Sequence, residues 1–259
     1  MEYQHIRVEL SPAEVMTLTL DRPERLNALS AATLDEMRDA VEGAVGRGAR
    51  CLLITGEGRG FSSGADLLTG GGLPEDAGEA LEKHFNPLVL ALFELPIPVV
   101  AAVNGPAAGA GCSIALCADF VVAGRSAYFL QAFVNIGLIP DAGATWLLPR
   151  LVGRARAIEM MMLGERIGAE QAAAWGLISR VVEDEHLASE SVALATRLAQ
   201  GPTVALGLIR KLARESQSLD LVQALAAERI GQREAGWTDD FKAAVAAFLE
   251  KRPPSFAGR

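Results

Sequence analysis

Apolar positions along this chain recur at two spacings. Residues 15–20 alternate apolar and polar side chains with a period of two, the mark of a strand with one face buried. The runs 51–54, 99–103 and 120–123 are short and continuously apolar, as in strands covered on both faces. Between them the spacing becomes helical. Thr33 and Glu36 resemble a capping box opening a helix over 33–45, and further helices are predicted over 78–93, 109–118 and 142–148. From residue 184 the pattern is helical almost throughout, over 184–200, 203–216, 219–234 and 238–251, with Gly201-Pro202 and Gly236 as punctuation. The expectation is an α/β core over 1–200 followed by a helical region over 201–259, with no linker or internal repeat. The glycine-rich stretch 69–74 is expected to be a mobile loop beside a site.

Composition narrows the function. The chain has 259 residues, half of them hydrophobic, which is enough to bury a large core without disulfide or metal staples. A net charge of −8 argues against a general nucleic-acid or anionic-membrane binder, because both need a positive face. Cys51, Cys112 and Cys117 lie in apolar or small-residue surroundings and fit no zinc spacing, so they read as buried, reduced thiols. The first ten residues carry charges and no apolar signal region, and the longest apolar stretch, 95–103, is short and holds Pro96 and Pro98. A soluble cytoplasmic protein is expected.

Four segments could carry chemistry. The first, 60–66, follows the strand at 51–54 and contains a G-x-S-x-G pattern with Ser62 in the nucleophile position. A hydrolase elbow needs a strand running into the serine and a helix running out. Here a glycine-rich loop precedes Ser62, and no helix pattern follows it; His186 could supply a base but lies in the charged run 183–186, and His5 and His84 read as surface residues, so a serine hydrolase stands as the rival reading. The second, 104–111, follows the strand at 99–103. Gly109, Ala110 and Gly111 open a helix whose first N–H groups lack partners and would favour a negative oxygen, with the Gly64–Ala65 peptide offering a second donor. The same small residues would equally permit tight helix–sheet packing. The third, 137–143, places Asp141 ahead of an apolar helix, where an N-cap is the first reading and an acid/base group the second. The fourth is 248–252, with Phe248 and Lys251.

Taken together, these segments and the run 21–29 (Asp-Arg-Pro-Glu-Arg-Leu-Asn-Ala-Leu) resemble the enoyl-CoA hydratase/isomerase family, the crotonase superfamily, from about residue 15 to 259. The resemblance implies a spiral of ββα units and C-terminal helices that drive trimer or dimer-of-trimers assembly. It implies an acyl-CoA thioester substrate, with coenzyme A as part of the substrate and no separate cofactor or metal. Its enolate would rest on the backbone N–H groups of Ala65 and Ala110. Arg25, Leu26, Ala28, Ser63, Gly64, Asp66, Leu67 and Gly109 would lie along the CoA and thioester, with Phe133 in the pocket. Phe248 and Lys251 would reach a CoA, across a subunit boundary in an oligomer.

The chain departs from the hydratase pattern. The two glutamates that handle water in hydratases would fall at Ser113 and Phe133, and neither is a carboxylate. Asp141 remains as the single acid/base group, and the run 131–150 resembles the branch of the family that isomerises ring epoxides of phenylacetyl-CoA and shifts double bonds as Δ3,Δ2-enoyl-CoA isomerases do. One carboxyl group suffices to move a proton between two carbons of one substrate. Phe133, Ile136 and Ile139 are expected to desolvate Asp141 and raise its pKa. A hydratase or another CoA-dependent activity is the alternative enzyme reading. A catalytically silent CoA-binding protein is the alternative of another class.

Overall fold

A computed structural model of the chain describes residues 3–67 and 76–259. The stretch 69–74, expected to be a mobile loop, lies outside the described residues. Ile6–Leu10 (β1) and Val15–Leu20 (β2) form an antiparallel hairpin. Cys51–Gly56 (β3), Val99–Val103 (β4), Phe120–Gly124 (β6) and Arg180–Val182 (β9) then add in parallel, giving a six-stranded sheet of order β1-β2-β3-β4-β6-β9. Pro106–Ala108 (β5), Tyr128–Leu130 (β7) and Ile167–Gly168 (β8) form a second, smaller sheet. Two single bridges, Ser62 with Ala107 and Leu29 with Ala65, extend this second layer back across the chain.

Helices cover both faces of the main sheet, which explains the unbroken apolar runs of β3 and β4. On one face lie Ala31–Glu42 (α1), Asn86–Glu94 (α2) and Ala110–Ala115 (α3), which share a core with Met16, Leu18, Leu52, Ile54 and Val99. In α1 the buried Leu34, Met37 and Val41 follow the 3-4-spaced stripe of an amphipathic helix. Its cap is Ser30, whose hydroxyl accepts from the Thr33 N–H, and not Thr33. Glu36 instead accepts the N–H groups of Gln4 and His5, so it pins the β1 edge. Leu187–Ala199 (α6, following Ala144–Leu163, α4, and Ala169–Ala174, α5) fills the other face through Leu187, Ala195 and Ala199 against Val15, Leu53 and Val100.

Thr203–Glu215 (α7), Leu221–Gly236 (α8) and Asp239–Leu249 (α9) complete the chain. A buried arginine ties α7 down. Arg210 donates to Asp119 at 2.6 Å and to the carbonyls of Leu92, Phe93 and Leu95, satisfying the C-terminal end of α2. Beyond it, α8 and α9 leave Leu221, Val222, Trp237, Phe241, Phe248 and Leu249 exposed. No single helix among the described residues is long and apolar enough to cross a membrane. The three cysteines are free and buried, and burial pushes each thiol up to about 12, as their apolar surroundings predict.

Candidate active site

The second layer brings the two glycine-containing loops together. The early turn begins it: Pro23–Arg25 forms a single 3-10 turn, and Leu26 and Asn27 follow with φ of 50° and 55°. Asn27 tolerates this left-handed conformation and uses its side chain to hold it. Its amide donates to the carbonyls of Glu57 and Gly60 and its oxygen accepts from the Arg22 N–H, so the turn is stitched to the loop after β3. The loop then runs beside the turn: Ser63 N–H donates to Leu26, Leu29 N–H to Gly64, and Asp66 N–H to Leu29.

Gly64 needs its missing side chain. Its φ is +92°, and a β-carbon there would stand 2.8 Å from the Ala108 carbonyl oxygen and 3.4 Å from the Ala110 nitrogen. Gly109 also has positive φ, +52°, immediately before Ala110 opens α3. The N–H groups of Ala65 and Ala110 have no protein acceptor among the described residues. For Ala110 the reason is its place at the first position of a helix. Two orphaned donors on neighbouring loops can grip one anionic oxygen.

Asp141 supplies the titratable group. It follows the short helix Ala132–Ile136 and the turn at Gly137, whose φ of 75° reverses the chain. It is half-buried, and its Oδ1 is enclosed with no hydrogen-bond partner among the described residues. Burial raises its carboxyl from 3.8 to about 6. The N-cap reading does not hold: Gly143 is the cap of α4 and carries no side-chain bond, and Asp141, two residues earlier, accepts the Ala144 N–H with its backbone carbonyl at 3.0 Å and not with its carboxylate. The desolvation expected from Ile136 and Ile139 is also corrected, because those side chains are 57% and 80% exposed. Phe133 is buried, its ring tip 3.8 Å from where a Gly109 β-carbon would stand, so an aromatic edge forms one wall beside the Ala110 loop. Ser113 is also buried, and its hydroxyl donates to the Gly109 carbonyl.

The remaining expected residues divide. Arg25, Leu26, Ala28 and Ser63 lie together on the turn and its neighbouring loop, with the Ser63 hydroxyl on the Arg25 carbonyl at 3.3 Å. Leu67 is exposed at the loop's end. The Asp66 carboxylate faces inward and pairs with Arg22 at 2.9 Å, so its charge is committed to the protein. Sequence reasoning passed over Arg22, although it sits beside Asp21 in the signature run; it also donates to the Ala28 carbonyl at 2.7 Å. Phe248 and Lys251 are exposed at the end of α9, and no described hydrogen bond or ion pair joins either to the two loops. Ser62 is fully buried, which removes it as a nucleophile. A cavity of about 340 Å³ lies elsewhere, between α4 and α7, lined by Trp146, Arg150, Asp119 and Arg214 and by neither loop. No cluster of metal-ligating side chains occurs among the described residues.

Comparisons with known proteins agree with this architecture. The family model for enoyl-CoA hydratase/isomerase matches residues 11–259. The chain is 48% identical over 251 residues to the 1,2-epoxyphenylacetyl-CoA isomerase of Escherichia coli K12, covering 95% of each protein. It is 47% identical over 259 residues to a probable enoyl-CoA hydratase of Rhodobacter capsulatus, covering all of both. Among solved structures, the enoyl-CoA hydratase of Bacillus anthracis superposes with a TM-score of 0.94 at 31% identity, covering 99% of this chain and 100% of that one. The protein therefore belongs to the enoyl-CoA hydratase/isomerase family and has the crotonase fold.

Proposed function

We propose that this protein is an acyl-CoA isomerase that moves a proton within its substrate through Asp141 while the N–H groups of Ala65 and Ala110 hold the thioester oxygen. The observation that carries the reading is the carboxyl of Asp141, raised to about 6 by burial and without a protein partner at Oδ1. Such a group is ionised enough near neutral pH to accept a proton and returns it readily once protonated. A proton α to a thioester is only weakly acidic, so most of the help must go to the enolate. Two backbone donors fit that need, since losing one such donor in other enzymes costs about 3–4 kcal/mol.

In this reading the ionised Asp141 takes a proton from one carbon of the bound acyl group. The electron pair moves into the thioester, and the carbonyl oxygen becomes an enolate oxygen between the two amides. Asp141 then returns the proton at a second carbon of the same acyl group, as the electron pair flows back out of the enolate and the thioester carbonyl re-forms. Phe133 keeps that wall apolar. Arg25, Leu26, Ala28, Ser63 and the Leu67 end of the loop would lie along the CoA arm. The exposed apolar faces of α8 and α9 would pair with further copies of the chain, bringing Phe248 and Lys251 to a neighbouring CoA.

The name of the Escherichia coli relative supports a ring-1,2-epoxyphenylacetyl-CoA as the substrate, with 3-enoyl-CoA thioesters as simpler analogues. The Rhodobacter capsulatus relative supports the hydratase reading at nearly the same identity. Against it stand Ser113 and Phe133, because syn addition of water needs groups that position and deprotonate it. Presenting the purified protein separately with the epoxide, with a 3-enoyl-CoA and with a 2-enoyl-CoA in water separates the readings. The isomerase converts the first two and leaves the third. Rapid hydration of the third, with the first two untouched, overturns the proposal; CoA binding without turnover of any would leave a silent binding protein.

A further inference from the structure

Ser62 is the centre of the G-x-S-x-G pattern, and the acid/base chemistry gives it no task. Its surroundings do. Its hydroxyl donates to the Asn27 carbonyl at 2.8 Å and accepts the Gly64 N–H at 3.2 Å. Its own N–H donates to the Pro106 carbonyl at 3.0 Å, and its carbonyl accepts the Ala108 N–H at 2.9 Å. A β-carbon on Gly111 would stand 2.6 Å from the Ser62 Oγ, so α3 is seated directly on this side chain. One buried residue thus bonds to the Asn27 turn, to Gly64 and to the strand leading into Ala110.

The consequence lies one peptide further on. With the Gly64 N–H held by Ser62 Oγ and the Gly64 carbonyl held by the Leu29 N–H at 2.8 Å, both ends of this left-handed residue are fixed. The following N–H, that of Ala65, has no protein acceptor among the described residues. We infer that Ser62 is a positioning residue: its hydroxyl locks the Gly64–Ala65 peptide so that the Ala65 donor stays trained on the same oxygen as Ala110. The inference rests on the proposal that those two amides hold a thioester enolate. The hydroxyl donates to a carbonyl and has no base beside it, so it is not activated as a nucleophile.

The test reads enolate stabilisation apart from turnover. Acetoacetyl-CoA is a suitable probe, because its β-keto thioester ionises to an enolate that absorbs in the near ultraviolet. The wild-type protein should raise the bound enolate fraction. Ser62→Ala should bind CoA with an unchanged dissociation constant yet lose enolate stabilisation roughly tenfold or more, with kcat falling in parallel and KM little changed. Ser62→Cys, which keeps a weaker acceptor of similar size, should fall between the two. Ser191→Ala, the loss of a buried hydroxyl in α6 far along the chain, should match wild type. A Ser62→Ala protein that binds CoA and stabilises the enolate as wild type does would overturn the inference. So would a Ser62→Cys protein equal to wild type when Ser62→Ala fails to fold. If the wild-type protein itself leaves the probe neutral, the two-amide reading fails first, and Ser62 with it.

Discussion

A β-carbon placed on Gly64 would stand 3.4 Å from the backbone nitrogen of Ala110. Two loops forty-six residues apart in the chain, Gly64 to Ala110, therefore approach so closely that one added carbon would touch the second where each offers an N–H with no protein acceptor among the described residues. The contact exists because the second layer of the fold, through the Ser62–Ala107 bridge, runs the two loops side by side.

Gly64→Ala should separate those loops. The added carbon meets the Ala108 carbonyl at 2.8 Å on a residue whose φ of +92° already disfavours a side chain. The expected cost is about 1–3 kcal/mol of stability and a fall of about 100-fold or more in kcat as one donor is displaced. Urea denaturation and steady-state kinetics on the same preparation check both.

Turnover should follow the ionisation of Asp141. The base form is the active one, so kcat/KM should fall about tenfold per pH unit on the acid side and level off above a midpoint near 6. A midpoint near 4, the ordinary carboxyl range, would mean that burial does not govern the group in the working enzyme.

The same burial costs stability. The folded-state pKa of Asp141, about 6, lies above its ordinary 3.8, so the folded chain prefers the neutral form. The stability it contributes is complete below about pH 4 and is lost as pH rises through 6. Asp141→Asn stays neutral throughout. After discounting for solvent screening, it should be more stable than wild type at pH 8 by on the order of 2 kcal/mol and equal to it near pH 4. Thermal melts at the two pH values measure the difference and its sign.

Arg210 should be the costliest surface-distant residue to truncate. Arg210→Ala leaves the half-buried Asp119 with only Arg214 and the Val99 N–H, and strands the Leu92 and Leu95 carbonyls, at an expected cost of about 3–5 kcal/mol. Arg125→Ala, which breaks exposed pairs with Glu170 and Glu183, should cost less than about 1 kcal/mol. Chemical denaturation of both variants gives the contrast.

Much of this was readable in the residues. The runs at 15–20 and 99–103 are strands over those same bounds, because their periodicity is set by burial on one face or on two. The C-terminal helices also lie within a residue or two of their helical spacing. The short strands β5, β7 and β8 carry too few residues to show a period, yet they build the layer that joins Gly64 to Ala110. The cap at Ser30 was missed because Thr33 and Glu36 mimic a capping box one turn later, and the tie of Arg210 to Asp119 spans ninety-one residues, beyond any local pattern. At the site, the side chains were legible by type, but the inward turn of Asp66 onto Arg22 and the partnerless Oδ1 of Asp141 are properties of packing.

The most direct measurement is the turnover of a 3-enoyl-CoA by wild type and by Asp141→Asn, with the dissociation constant for CoA measured on both. The account predicts a folded variant that binds CoA as wild type does and loses about 10²–10⁴-fold in kcat. An Asp141→Asn protein that folds, binds and isomerises at the full rate would contradict it.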